Sequence, residues 1–208
     1  HPELLDCLAA DFMDHGWDIK RTMKLLLTSG AYRQASVTAA AIMAADPQNK
    51  WLARQGRWRL DAEMVRDNAL AVSGLWAKPI GGASVKPYQP AGYWKHLNFP
   101  KRKWAPDSGV SQYRRGLYTF WCRTFLHPSM LAFDAPTREG CVAERTRSNI
   151  PQQALVLLND PTYVEAARVF AERIVQHGGG TDAERLVWAF ERALTRRPTA
   201  AERDILLR

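Results

Sequence analysis

Cysteine is scarce in this chain. Its 208 residues hold only Cys7, Cys122 and Cys141, with no metal-type pair spacing and no Cys-x-x-Cys-His signature. That excludes a cysteine-built zinc site and a covalently attached haem within this stretch. Histidine is little help: His15, His96 and His177 each stand alone, and only His127 is near the chain's other polar motifs. No nucleophile therefore has an obvious activating base beside it in sequence. Long apolar runs are missing too, and none approaches the roughly 20 residues that a bilayer crossing needs. The one glycine-rich run, Gly81-Gly82-Ala83-Ser84-Val85, has neither the full glycine spacing nor the following Lys-Ser/Thr of a phosphate loop. Acidic residues are in deficit, 21 against 29 Lys and Arg, for a net charge of +8.

What is present is concentrated. Between residues 95 and 115 six basic residues (Lys95, Lys101, Arg102, Lys103, Arg114, Arg115) face the single acid Asp107, a local +5. Aromatic side chains, Trp94, Trp104 and Tyr113 among them, are interleaved. Trp94, Lys101, Arg102, Lys103, Trp104, Arg114 and Arg115 thus form a candidate surface for a polyanion. An acidic polysaccharide suits it, since sugar faces lie on aromatic rings while sulfate or carboxylate groups pair with Arg and Lys. Single-stranded nucleic acid would use the same chemistry and is the weaker candidate. The plain alternative is a loop whose aromatics pin it to the domain.

Periodicity predicts mostly helix. Pro2 to His15 repeats Leu4, Leu5, Leu8 and Phe12 at helical spacing and stops at Gly16. Cys7 falls on that apolar face as a small core residue. Asp18 caps a second helix to about Thr28, with Met23, Leu26 and Leu27 on its buried side, the two forming an antiparallel pair. A long helix is expected from about Asn49 to Ser73, with Trp51, Trp58, Met64, Val65 and Leu70 directed to the core; Arg59, Glu63, Arg66 and Asp67 point to water or enter a buried salt-bridge lattice. Residues 75–112 lose all periodicity and form a Pro/Gly-rich irregular insertion. The aromatic run 117–122 reads as a short strand. Pro151, Asp160-Pro161, and the capping boxes Thr181-x-x-Glu184 and Thr199-x-x-Glu202 open the four last helices. His15 and His177 cap helix C-termini. The fold class is mainly α: one helical domain over 1–208 with a long irregular central insertion and at most a small β element.

The densest polar stretch runs from 133 to 153. Asp134, Arg138, Arg145, Arg147, Asn149 and Gln153 are its candidate polar or anion-binding residues. Prolines and a glycine break it too often for one helix, so its charged groups must find partners within a small volume. The guanidinium groups are expected to pair chiefly with Asp134, Glu139, Asp160 and backbone carbonyls, clamping the central segments onto the helices. An anionic ligand pocket is the alternative. An acid-base-nucleophile set of Glu139, Asp134 and Cys141 lacks a partner histidine, and carboxylates at 134, 139 and 160 match no defined metal loop, so no metal site is assigned. A Cys122–Cys141 disulfide stays open.

These motifs together with His1-Pro2-Glu3-Leu4-Leu5-Asp6, Trp58-Arg59-Leu60-Asp61-Ala62-Glu63 and Tyr113-Arg114-Arg115-Gly116-Leu117 carry a resemblance. The chain resembles the PSD-type domain of unknown function found at the C-terminal end of large planctomycete proteins, often with c-type cytochrome modules upstream. The resemblance implies a piece of a larger exported protein at the periplasm or cell surface. It implies haem c in upstream modules but no mechanism; the residues themselves place no cofactor in this segment, and the favoured reading is a binding or scaffold module for an acidic polysaccharide or a redox partner protein. An enzyme built on 133–153 is the rival reading.

Overall fold

The computed structural model describes residues 1–96, 103–122 and 125–208. Lys101 and Arg102 lie outside them. Among the described residues the regular structure is helical, with nine α-helices and no strand: α1 (Pro2–Asp14), α2 (Ile19–Thr28), α3 (Ala40–Ala45), α4 (Ala62–Ser73), α5 (Pro128–Ala132), α6 (Pro151–Asn159), α7 (Pro161–His177), α8 (Asp182–Leu194) and α9 (Ala200–Leu206). Among them no helix is long and apolar enough to cross a membrane. The chain parts into two compact units, His1–Arg59 and Leu60–Arg208.

In the first unit the capping logic of the sequence is realised. Asp18 accepts the Arg21 N–H at 3.0 Å to start α2, and His15 ends α1 with its Nδ1 on the Asp11 carbonyl at 2.8 Å. Arg21 grips the Asp11 carboxylate with both guanidinium ends. Burial does not follow the sequence, however. Met23, Leu26, Leu27 and Cys7 are exposed, because short helices in a small unit offer little surface to cover one another's apolar faces. The buried residues of this unit are polar, Asp46 and Arg54. The Asp46 carboxylate accepts N–H bonds from Lys50 and Trp51, both at 2.8 Å, and the Arg54 guanidinium donates to the Asp46 and Pro47 carbonyls. This knot corrects the expected helix from Asn49. Side-chain bonds offer the backbone an alternative to the helical ladder, Asn49 and Leu52 adopt positive φ, and the helix begins only at Ala62. Trp51, Trp58 and Met64 are accordingly exposed, while Leu70 is fully buried.

In the second unit α4 is the central element. It packs on α7, on α5 and on a 3-10 turn at Gly116–Tyr118, and ends at Gly74 with φ of 85°. The Gly116 turn comes so close that a Cβ there would lie 2.9 Å from the Glu63 Cα and 3.0 Å from its carbonyl oxygen. Ala62, Leu126, Met130 and Ala135 form an apolar core against which Trp121 and Phe133 pack. Asp160 closes α6 and caps α7 through the Thr162 N–H at 2.9 Å. Both C-terminal capping boxes form.

The expected strand over 117–122 is absent. Val85 pairs with Thr119 in a single parallel bridge, its N–H donating to the Tyr118 carbonyl at 2.8 Å and its carbonyl accepting from Phe120 at 2.7 Å. The ladder cannot lengthen, because the next residue that would donate to it, Pro87, has no N–H to give. Among the described residues of 75–112 the helical structure is 3-10, at Tyr93–His96 and Gly109–Tyr113. Tryptophans hold this segment down. Trp94 is buried against Trp104, Phe120 and Phe125, and Trp104 donates its indole N–H to the Pro87 carbonyl at 2.9 Å. No disulfide joins Cys122 to Cys141.

Candidate functional site

The 133–153 segment is built from the end of α5 outward. Asp134 follows that helix with φ of 60°; its N–H donates to the Leu131 carbonyl and the Ala135 N–H to the Met130 carbonyl, both at 3.1 Å. This is a Schellman stop with an aspartate where glycine is usual. The conformation aims the Asp134 carboxylate at Ser148, which donates from its backbone N–H at 2.7 Å and its hydroxyl at 2.8 Å. Gln153, buried on the first turn of α6, donates in turn to the Ser148 carbonyl at 3.3 Å. Asp134, Ser148 and Gln153 are therefore one network. Arg147 and Asn149 flank it on exposed backbone.

The arginines find acids of the chain, but not the ones expected. Arg138 and Arg145 converge on Glu63 of α4, at 3.3 Å and 2.7 Å, with Asp61 a further 3.6 Å partner for Arg145. Asp134 is held by Ser148, Asp160 caps α7, and Glu139 is exposed. Sequence distance concealed Glu63, 75 and 82 residues away. Burial alone would raise the Glu63 carboxyl; the hydrogen bonds from Arg145 and Arg138 hold it below its ordinary value. Arg138, with φ of 62°, also lies over the Trp121 ring, 3.9 Å from its centroid. A recess of about 530 Å3 opens beside Trp121, Thr137, Arg138 and Glu139.

The basic-aromatic surface is dispersed. Burial of Trp94 covers its ring with other aromatics, which corrects its expected place as a ligand platform. Lys103 is exposed and Trp104 half-buried. Arg114 donates to the Gly81 and Ala83 carbonyls and stacks on Tyr118 at 4.0 Å. Arg115 lies over Trp76 at 4.9 Å.

A second polar layer includes Arg66, expected either in water or in a buried salt-bridge lattice, and adds His127 and Tyr163. Arg66 of α4 is 2 % exposed and donates to the Gln112 carbonyl; its Nε finds no hydrogen-bond partner among the described residues. His127, also 2 % exposed, sets Nε2 on the Tyr88 carbonyl at 2.7 Å and Nδ1 on the Ser129 hydroxyl at 2.9 Å. Because a carbonyl only accepts, Nε2 carries the proton. Burial pushes the Arg66 guanidinium and the His127 imidazole down, against the Tyr88 bond in the latter, and pushes the buried Tyr163 hydroxyl up. Pro128 was the available signal, since it marks His127 as the residue entering a helix.

The family model for PSD1, a protein of unknown function (DUF1553), matches residues 1–208, and the chain belongs to that family. No curated protein and no solved structure matches it.

Proposed function

We propose that this PSD1 chain is a binding and scaffold module of a larger exported protein, with the 133–153 segment acting as a structural clamp. One observation carries the reading: Arg138 and Arg145 spend their charge on Glu63, and Asp134 spends its own on Ser148. Chemistry needs groups left over for a substrate. A serine–histidine contact that resembles a nucleophile and its base, Ser129 with His127, has both residues buried and the far ring nitrogen tied to Tyr88, so it offers no oxygen to an acyl group. The c-type haem expected upstream and a periplasmic or cell-surface location belong to the same reading.

The partner we assign is an acidic polysaccharide held by cations. Net charge +8, the exposed Lys78, Lys95 and Lys103, and the sequence-adjacent Lys101 and Arg102 support it. With Trp94 buried, stacking contributes little and salt should dominate. The test is titration with sulfated, carboxylated and neutral oligosaccharides of one backbone. The parent should bind the two anionic ligands and weaken as salt rises, and the Lys101/Arg102/Lys103 triple-Ala variant should bind several-fold less. Equal binding by parent and variant, or of neutral and anionic ligands, refutes it. The recess beside Arg138 favours a second reading, a small-anion pocket within the segment; Arg138→Ala abolishing binding while the triple variant retains it would select that one.

A further inference from the structure

A separate recess of about 300 Å3 lies in the second unit, walled by Tyr88, Asp107, Gln112, Tyr113, Thr162 and Glu165. Its size is at the lower end for small-ligand clefts, which run from about 300 to 1,000 Å3. Its walls are fixed from behind by the buried polar layer. Arg66 donates to the Gln112 carbonyl and His127 to the Tyr88 carbonyl, so the two most deeply buried ionisable groups described above both end on backbone of this recess. Burying such groups is costly; here their hydrogen bonds hold two wall segments, neither of them regular α-helix or strand. The carboxylates are anchored as well. Asp107 accepts the Lys86 N–H at 2.7 Å and returns its own N–H to the Lys86 carbonyl at 2.9 Å. Glu165 accepts the Tyr113 hydroxyl on Oε1 at 2.9 Å. The Gln112 amide donates to the Asp107 carbonyl.

The geometry points to a binding site for one neutral hydroxylated ring, a sugar residue, whose hydroxyls donate to Glu165 and Asp107 and whose apolar face lies on Tyr88 or Tyr113. Two carboxylates in the walls oppose an anionic ligand. Arg66 behind the wall and Arg168, near enough to act on the Tyr113 hydroxyl, offset them and disfavour a cation. The inference does not depend on the polyanion surface: none of the cations assigned to that surface lines the recess.

The experiment is a chemical-shift titration of the full chain with glucose, galactose, mannose, xylose and fucose, with glucuronate, and with ethylenediamine as a cationic probe. At least one neutral sugar should shift resonances of Tyr88, Tyr113 and Glu165 saturably, and glucuronate and ethylenediamine should bind more weakly. Glu165→Gln should weaken that sugar about tenfold, the worth of one hydrogen bond to a charged group, with an unchanged melting temperature. The Lys101/Arg102/Lys103 triple variant should bind it like the parent. Absence of a saturable shift with every neutral sugar, parent-like binding by Glu165→Gln, or tighter binding of ethylenediamine than of any sugar would each overturn the assignment.

Discussion

Asp134 does two jobs with opposing energetics. Its left-handed backbone ends α5, a conformation that costs a residue with a Cβ about 1 kcal/mol relative to glycine. Its carboxylate repays this by accepting two hydrogen bonds from Ser148. The jobs separate by mutation. Asp134→Ala keeps the backbone cost and loses the bonds, and should lower stability by about 2 kcal/mol; Asp134→Gly loses the same bonds but relieves the backbone, and should recover about 1 kcal/mol of that. Denaturant melts that rank Gly below Ala would show the Schellman stop to be incidental. The sequence marked Asp134 as a candidate, but for pairing with arginine. The helix stop it provides was masked by a five-residue helix, too short to show periodicity.

At the scale of elements, α4 holds several segments that lie outside the α-helices. Within about one turn it presents Glu63 to Arg138 and Arg145, Arg66 to the Gln112 carbonyl, and Asp67 to the Gly116 N–H at 2.6 Å. Each charged residue secures a different segment outside the α-helices. The pH dependence of the first contact follows from its direction. Glu63 titrates below its ordinary value when folded, so its contribution is present above the unfolded carboxyl pKa, about 4.3, and is lost as pH falls through the folded value. Asp67 works against this trend, since burial raises its carboxyl despite the Gly116 bond. A difference measurement isolates Glu63. Glu63→Gln should cost about 1–2 kcal/mol at neutral pH, and its melting temperature should converge on the parent's below about pH 4. A gap that stays constant from neutral to acid pH would detach the clamp from this carboxylate. Helices opened by proline and capping boxes were legible because their signals are local: α6 to α9 form where the sequence places them. The start of α4 was not, because the Asp46–Arg54 knot competes through side-chain hydrogen bonds that leave no mark on periodicity. Nor could Glu63 be matched to its arginines, since the pairing is decided by the packing of α4 on α5 and α7.

For the whole molecule, the contrast between units is one of burial. Leu60–Arg208 encloses an apolar core around Ala62, Leu126 and Met130. In His1–Arg59 the residues that leave solvent are Asp46 and Arg54, while Leu5, Ile19 and Trp58 are each more than two-thirds exposed. Hydrophobic burial supplies most of the drive to fold. A polypeptide of residues 60–208 should therefore unfold cooperatively, and one of residues 1–59 should melt without a sharp transition. Calorimetry of the two pieces decides it, and a sharp peak from the shorter piece would contradict the burial argument. The sequence did not separate these cases, because amphipathic spacing records which face is apolar and not whether anything covers it.

The approach of Gly116 to Glu63 gives α4 something like a keyway. Where a helix meets its neighbour through side chains, small changes of tilt and rotation are absorbed by rotamers. Here backbone meets backbone, with the Asp67 carboxylate latched to the amide of the same glycine one turn along, so turning the helix would drive its main chain into the loop or open the latch. The angular setting of every charged group on α4 is thus inherited from a residue that has no side chain.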